Sequence, residues 1–279
     1  MPSSDRWAGA LLWACAVLVS AAFLWLVGDL VVHGAGALSW EFLTAAPEDA
    51  GRSGGLGPIL VSTLLIVGVC VVFMLPLGLG TAVFLAEFTS RRSLLGRFVR
   101  RSLDVLAGVP SIVFGLFGSV FFCKTLGLGF SILAGGLTLS CMALPIVIRA
   151  VEMGFRAVPD EFRTAAAALG VSRWTTLTRL LLPAAAPGLA VGLVLGMGRA
   201  FAETAALIFT SGYVDRFPES LTDSGRALSV HIFDLSMNVP GGTLHAYGSA
   251  LVLLALLLAV NAAASALAHR WLGRRIRTA

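Results

Sequence analysis

The sequence predicts an all-α, polytopic membrane protein with six spanning helices, and three observations carry that prediction. Of 279 residues, 57% are hydrophobic and 13% charged, against about 25% charged in ordinary soluble domains. The charges, 20 Lys+Arg and 15 Asp+Glu, are too few and too clustered to cover a water-soluble core of this size. Six apolar stretches reach the roughly 20 residues a helix needs to cross hydrocarbon, where backbone groups must be satisfied within the segment.

In order, these spans run from Ala8 to Val32, Leu56 to Ala86, Leu103 to Cys123, Leu128 to Ile148, Leu181 to Thr210 and Ala246 to Ala268. The first also admits a signal-peptide reading, with Arg6 as the basic region and Ala35-Gly36-Ala37 as a cleavage site. Its uncharged run from Trp7 to Gly28 exceeds the about 7–15 residues of a signal core, which favours a spanning helix. Pro76, Pro110 and Pro145 fall inside the second, third and fourth spans, where a missing N–H is expected to kink or unwind the helix. Around Pro110-Ser111, flanked by Gly108 and Gly115, such a break either exposes backbone to a pathway or serves packing alone. The organisation expected is one transmembrane domain over 1–279, with a core at 56–268, an N-terminal helix at 8–32 and a cytoplasmic loop at 149–180.

Charge placement sets the orientation. Fifteen arginines, among them Arg91, Arg92, Arg97, Arg100, Arg101, Arg149, Arg156, Arg163 and Arg277, fall on one side of this layout, and four basic residues, Arg52, Lys124, Arg216 and Arg226, on the other. The basic side is the cytoplasmic one, which puts both termini and the 149–180 loop inside the cell. Arginines that flank apolar runs suit an anionic inner leaflet and form no nucleic-acid-binding face. Glu87 and Asp104, at the two ends of the arginine-rich inner loop, are expected to pair with that loop's arginines.

Several chemistries are excluded. Cys15, Cys70, Cys123 and Cys141 lack a ligand or disulfide spacing, and the four histidines lack metal-ligand spacing. There is no GxxxxGK[ST] loop to cradle a nucleotide, so the chain is not expected to supply an ATPase site itself.

The 149–180 loop carries more information. Pro159 suits a first helical turn, Asp160 and Glu161 sit where the helix dipole favours negative charge, and Gly170 suits the left-handed residue beyond the helix end. Ser172 suits a cap for a second short helix. A helix so rich in alanine either docks a partner that approaches closely or lies on the membrane surface as an amphipathic element.

The run Thr164-Ala165-Ala166, then Gly170, then Leu180, then Leu182-Pro183 resembles the EAA motif of ABC importer permeases, with Thr164 in place of the motif's glutamate and Leu180 in place of isoleucine. The stretches Val109-Pro110-Ser111-Ile112-Val113-Phe114-Gly115, Gly198-Arg199-Ala200-Phe201-Ala202-Glu203-Thr204-Ala205 and Leu228-Ser229-Val230-His231-Ile232-Phe233 are similar to those of the PstA family of phosphate-importer permeases. Phe114, Ala202 and Ala206 stand where that family usually has tyrosine, glycine and proline.

The resemblance implies a type I ABC importer permease fold in a bacterial inner membrane, with Thr164, Ala165, Ala166, Gly170, Leu182 and Pro183 coupling to an ATPase. It implies a PstC-like sister permease, two PstB-like ATPases that hold ATP and magnesium, and a PstS-like periplasmic phosphate-binding protein. No cofactor is expected in this chain, and no catalysis of its own.

Inside the fifth span, Arg199 and Glu203 require an explanation, because a charge near the bilayer centre costs about 2.5–3.5 kcal/mol even on the mildest scale. Their i, i+4 spacing lets them share a helix face and partly neutralise each other, so an ion pair that only fixes packing is one reading. The other is a fork of donors for a phosphate-like oxyanion, its grip moderated by Glu203. The resemblance favours the second and adds Thr204 to the pathway. Thr210 and Ser211 are expected chiefly as packing hydroxyls. The function implied is a permease subunit for inorganic phosphate. Alternatives are a permease for phosphonate, sulfate or molybdate, a self-sufficient secondary transporter or channel, and a membrane scaffold without transport.

Overall fold

The computed structural model describes residues 3–90 and 92–276. Arg91 and Arg277, counted above as inner-side charges, lie outside the described residues, as do the side chains of Arg6, His269, Arg270, Arg274 and Arg275. The chain runs through α1 (Ser3–Gly34), α2 (Trp40–Thr44), α3 (Gly57–Val83), α4 (Leu94–Ala107), α5 (Ser111–Gly118) and α6 (Ile132–Arg156). It continues through α7 (Asp160–Ala168), α8 (Arg173–Thr176), α9 (Leu182–Ala184), α10 (Ala186–Phe201), α11 (Ala205–Ile208), α12 (Leu228–Met237) and α13 (Thr243–Ile276). One small antiparallel hairpin, Pro47–Glu48 with Ser53–Gly54, lies in the loop before α3.

Among the described residues four helices, α1, α3 with its continuation to Phe88, α6 and α13, are long and apolar enough to cross a membrane, and the count reaches six if each of two bent helix pairs is one span. The third expected span, Leu103 to Cys123, is corrected by the first of these bends. The helices Leu94–Ala107 and Ser111–Thr125 meet at 101°, because Pro110 cannot donate to the helix before it and biases Val109 away from helical backbone. What apolar counting joined is an arginine-bearing helix, α4, followed by a separate apolar segment. Pro76 and Pro145, by contrast, sit inside unbroken helices.

The fifth expected span, Leu181 to Thr210, is also not one helix. Arg173–Ala184 and Ala186–Phe201 meet at 65°, and the helix stops at Phe201, so Glu203 and Thr204 lie in a non-helical link before α11. The fourth span runs past its expected end at Ile148 to Arg156, which places Arg149 and Arg156 on a helix and not in a loop.

The core centres on α6, which packs between α3 and α10. Ile66, Cys70 and Met74 of α3 and Leu139 and Val147 of α6 are buried there. Ser140 donates its hydroxyl to the carbonyls of Gly136 and, across the helix pair, Cys70, at 2.9 and 3.0 Å, so a polar group in the core is satisfied. At the α6–α10 crossing a Cβ on Gly154 would stand 2.7 Å from the Gly188 Cα. Glycine on both helices allows this approach, the packing device of membrane helices that lack a hydrophobic drive between them. α1 lies outside, packed against α13, with Leu11, Leu18 and Trp25 exposed as a lipid-facing helix requires.

Candidate functional site

The Arg199–Glu203 pair is formed, although not on one helix. Arg199 lies in the last turn of α10, and its Nη2 is 3.4 Å from Glu203 Oε2 in the link that follows. The partners differ sharply in freedom: the Glu203 side chain is 4% exposed and that of Arg199 42%. Glu203 is pinned from several directions. Its Oε1 accepts the Ala206 N–H at 3.2 Å, and its carbonyl accepts the Ser229 hydroxyl at 2.6 Å. Ala206, where proline would have no N–H to give, thus anchors the carboxylate. Among the described residues Arg199 has one ion-pair oxygen and a contact of 3.7 Å from Nη2 to Met142 Sδ on α6. Most of its five donors are therefore uncommitted. A fixed buried carboxylate beside a half-exposed guanidinium offers a planar fork that an oxyanion can meet, with a like charge close by to limit the grip.

Thr204 is half-buried, and its carbonyl accepts the Leu207 and Ile208 N–H groups at 3.1 Å as α11 begins. Thr210 and Ser211 are fully buried and donate to the carbonyls of Ala206 and Leu207, which makes them packing hydroxyls.

The short helix of the 157–172 loop is α7. Pro159 is its N-cap, with extended ψ of 142°, and so stands one residue before the first turn. Gly170 has φ +69°, the left-handed conformation that glycine adopts without steric cost, and Ser172 accepts the Thr175 N–H at 3.2 Å. Ala166 is buried, while Thr164 and Ala165 are exposed. The Thr164 hydroxyl bonds back to the Asp160 carbonyl at 2.7 Å. Leu182 and Pro183 sit half-buried beside the 65° bend. Two large apolar side chains stand out in solvent here, Leu169 at 80% and Trp174 at 73%.

Arg163 holds α7 to the membrane helices. Its Nε and Nη2 donate to both oxygens of Glu87 at 3.0 and 2.7 Å, and it also donates to the carbonyls of Phe155 and Val158 and, at 3.1 Å, to Asp160 Oδ1. The hydrogen bonds to Glu87 raise its already high pKa. This corrects the expected pairing of Glu87 and Asp104 with the inner-loop arginines: Glu87 binds Arg163 of α7, and Asp104 binds Arg149 of α6. Apolar counting treated 149–156 as loop, so the partners that α6 brings up were not in view.

That extension of α6 also builds a cluster the sequence reading missed. Glu152, 3% exposed, receives Arg100 Nε at 3.0 Å, Arg156 Nη2 at 2.7 Å and Arg149 Nη1 at 3.4 Å. Arg100 also donates to the Leu85 carbonyl at 2.9 Å. The spacing Arg149-x-x-Glu152-x-x-x-Arg156 is the signal that was available, since i, i+3 and i+4 residues meet on a helix.

A helical membrane fold, a charged pair at a helix break and a projecting short helix together define a membrane transport subunit. Residues 74–278 match the family described as binding-protein-dependent transport system inner membrane component. The chain belongs to that family. Among its relatives it is 32% identical to the probable ABC transporter permease protein YqgI of Bacillus subtilis, over 98% of this chain and 96% of the relative. It is 37% identical to phosphate transport system permease protein PstA 1 of Mycobacterium tuberculosis (strain CDC 1551 / Oshkosh), over 87% and 80% of the two chains. Among solved structures, an inward-facing MetNI methionine ABC transporter gives a TM-score of 0.66 at 18% identity, covering 77% of this chain and 95% of that one. A bacterial ABC transporter that imports alginate gives 0.64 at 15% identity over 96% and 98%. Both likenesses concern the fold, that of an ABC importer permease.

Proposed function

We propose that the chain is the phosphate permease subunit of an ATP-driven importer, working beside a sister permease, ATPase subunits and an external phosphate-binding protein. The observation that carries this is the Arg199 fork, half-exposed beside a buried carboxylate that accepts the Ala206 N–H. The similarity to a phosphate permease over most of the chain supports the choice of anion. Arg199, Glu203 and Thr204 form the substrate-facing set. Phosphate meets two guanidinium N–H groups, and Glu203, 3.4 Å from the same guanidinium, weakens the hold enough for release, as passage demands.

Energy enters through α7. Thr164, Ala165, Leu169 and Trp174 present the exposed face that a partner covers, and the Arg163–Glu87 fork transmits its movement to the end of α3. A small-residue helix admits close approach even with Thr164 in the glutamate position. ATP and magnesium belong to the ATPase partners, and this chain carries out no hydrolysis. Both termini lie in the cytoplasm, as the arginine distribution requires.

The test is ATP-dependent uptake of labelled phosphate in cells that lack this chain and are complemented with it. Restored uptake that excess sulfate, molybdate or phosphonate fails to compete away is the expected result. Competition by one of those anions at equal concentration reassigns the substrate, and uptake without an ATPase partner refutes the importer.

A further inference from the structure

A cleft of about 580 Å³ opens at the coupling-helix end of α6, lined by Arg97, Arg100, Arg101, Arg149 and Arg156 around Glu152. Five arginines and a single carboxylate, Glu152, line it. Three of them are preset, because Arg100, Arg149 and Arg156 converge on Glu152 and are further held by the carbonyls of Leu85 and Arg100. The side chains of Arg97 and Arg101 have no hydrogen bond or ion pair among the described residues. Asp104 offsets part of the charge of Arg149, but the cleft keeps a surplus of positive charge with rigid donors.

The position of the cleft adds direction. Met142, Arg149 and Arg156 recur at seven-residue intervals, so they lie on one stripe of α6 with only about 20° of drift per repeat. At about 1.5 Å per residue, Arg149 and Arg156 stand roughly 10 and 21 Å along the helix from Met142. Met142 is the residue that Arg199 touches. The cleft therefore lies further along the stripe that begins at the Arg199 pair.

We propose that this arginine cleft is a second anion site of the molecule, one that binds a phosphate group. Guanidinium forks match phosphate oxygens bidentately, and an anion of one or two charges offsets what Glu152 leaves unbalanced. The group belongs either to transported phosphate on its way out, which rests on the function proposed above, or to the headgroup of an anionic lipid, which does not.

The experiment uses the full chain assembled with its partners, as native protein, Arg199→Gln, and Arg97→Gln combined with Arg101→Gln. The side chains of these two arginines make no hydrogen bond or ion pair among the described residues, so their replacement leaves the Glu152 network intact. One arm measures equilibrium binding of labelled inorganic phosphate in nanodiscs of phosphatidylcholine alone, without ATP. The other measures, by native mass spectrometry, phosphatidylglycerol retained from a mixture with phosphatidylcholine. A site for transported phosphate appears as binding that persists in Arg199→Gln and weakens about tenfold or more in the double variant. A headgroup site appears as phosphatidylglycerol retention lost in the double variant, and it stands even where phosphate uptake fails. A double variant that assembles and matches the native protein in both arms overturns the proposal, leaving the arginines as an internal ion network only.

Discussion

The Arg199 pair and the arginines around Glu152 lie at two levels along α6, the first against Met142 and the second at Arg149 and Arg156, and they solve opposite problems. At Arg199 a single guanidinium faces a carboxylate held by the Ala206 N–H on a residue whose carbonyl Ser229 binds, and the cation is the half-exposed partner. At Glu152 the carboxylate is the buried hub, and three cations are fixed around it at its own expense in desolvation. The difference teaches that an arginine–carboxylate contact has no role by itself. Stoichiometry and the choice of which partner is immobilised decide whether it can give up a donor to a ligand or serves to lock helices together.

The largest effect is expected from Glu152→Gln, which keeps volume and removes the charge that three guanidiniums share. Breaking a buried ionic hub by deleting one partner costs roughly 3–5 kcal/mol, so the variant should unfold at distinctly lower temperature in detergent and assemble poorly. Equal thermal stability of Glu152→Gln and native protein would show that the cluster is solvated and not a structural hub. An intermediate effect is expected from Arg163→Ala, which removes the bidentate bonds to Glu87. Charge-assisted hydrogen bonds contribute about 1.5–3 kcal/mol, and here the loss is local. Proteolysis within 157–172 should accelerate and transport-stimulated ATP hydrolysis should fall, while phosphate binding stays unchanged.

The smallest effect at neutral pH belongs to His231 on α12, outside the spanning helices. Burial, and then the positive charge of Arg226 at 3.4 Å, push its pKa from 6.5 down to about 4. A depressed folded-state pKa means that the unfolded chain binds the proton first. The contribution of His231 to stability is then complete above about pH 6.5 and is lost as pH falls toward about 4. His231→Gln should flatten the pH dependence of unfolding in that window and change little at pH 7.

Much of the fold was legible because apolar length is a strong signal. α1, α3, α6 and α13 fall where 20-residue apolar runs place them, and Gly170 and Ser172 punctuate the α7–α8 loop as their turn and cap chemistry dictates. Apolar counting sees composition and not direction, so it ran α4 and α5 together across the 101° turn at Pro110. The same blindness merged α10 with Glu203 and Thr204, where the break is stabilised by a side-chain cap to Ala206 that only tertiary placement reveals. Arg199 and Glu203 were visible as charges out of place in an apolar run. Glu152 was not, because its partner Arg100 lies 52 residues earlier in the chain and because a charged helix end resembles a loop when helices are sought by hydropathy.

The measurement that tests the central claim most directly is ATP-dependent phosphate uptake by cells complemented with Arg199→Gln, with assembly of the subunits verified for the same membranes. Losing one charge-assisted fork of about 1.5–3 kcal/mol predicts uptake reduced roughly tenfold to a hundredfold at native levels of assembled complex. Uptake equal to that of the native chain would contradict the account and leave Arg199 and Glu203 as a pair that only closes the end of α10.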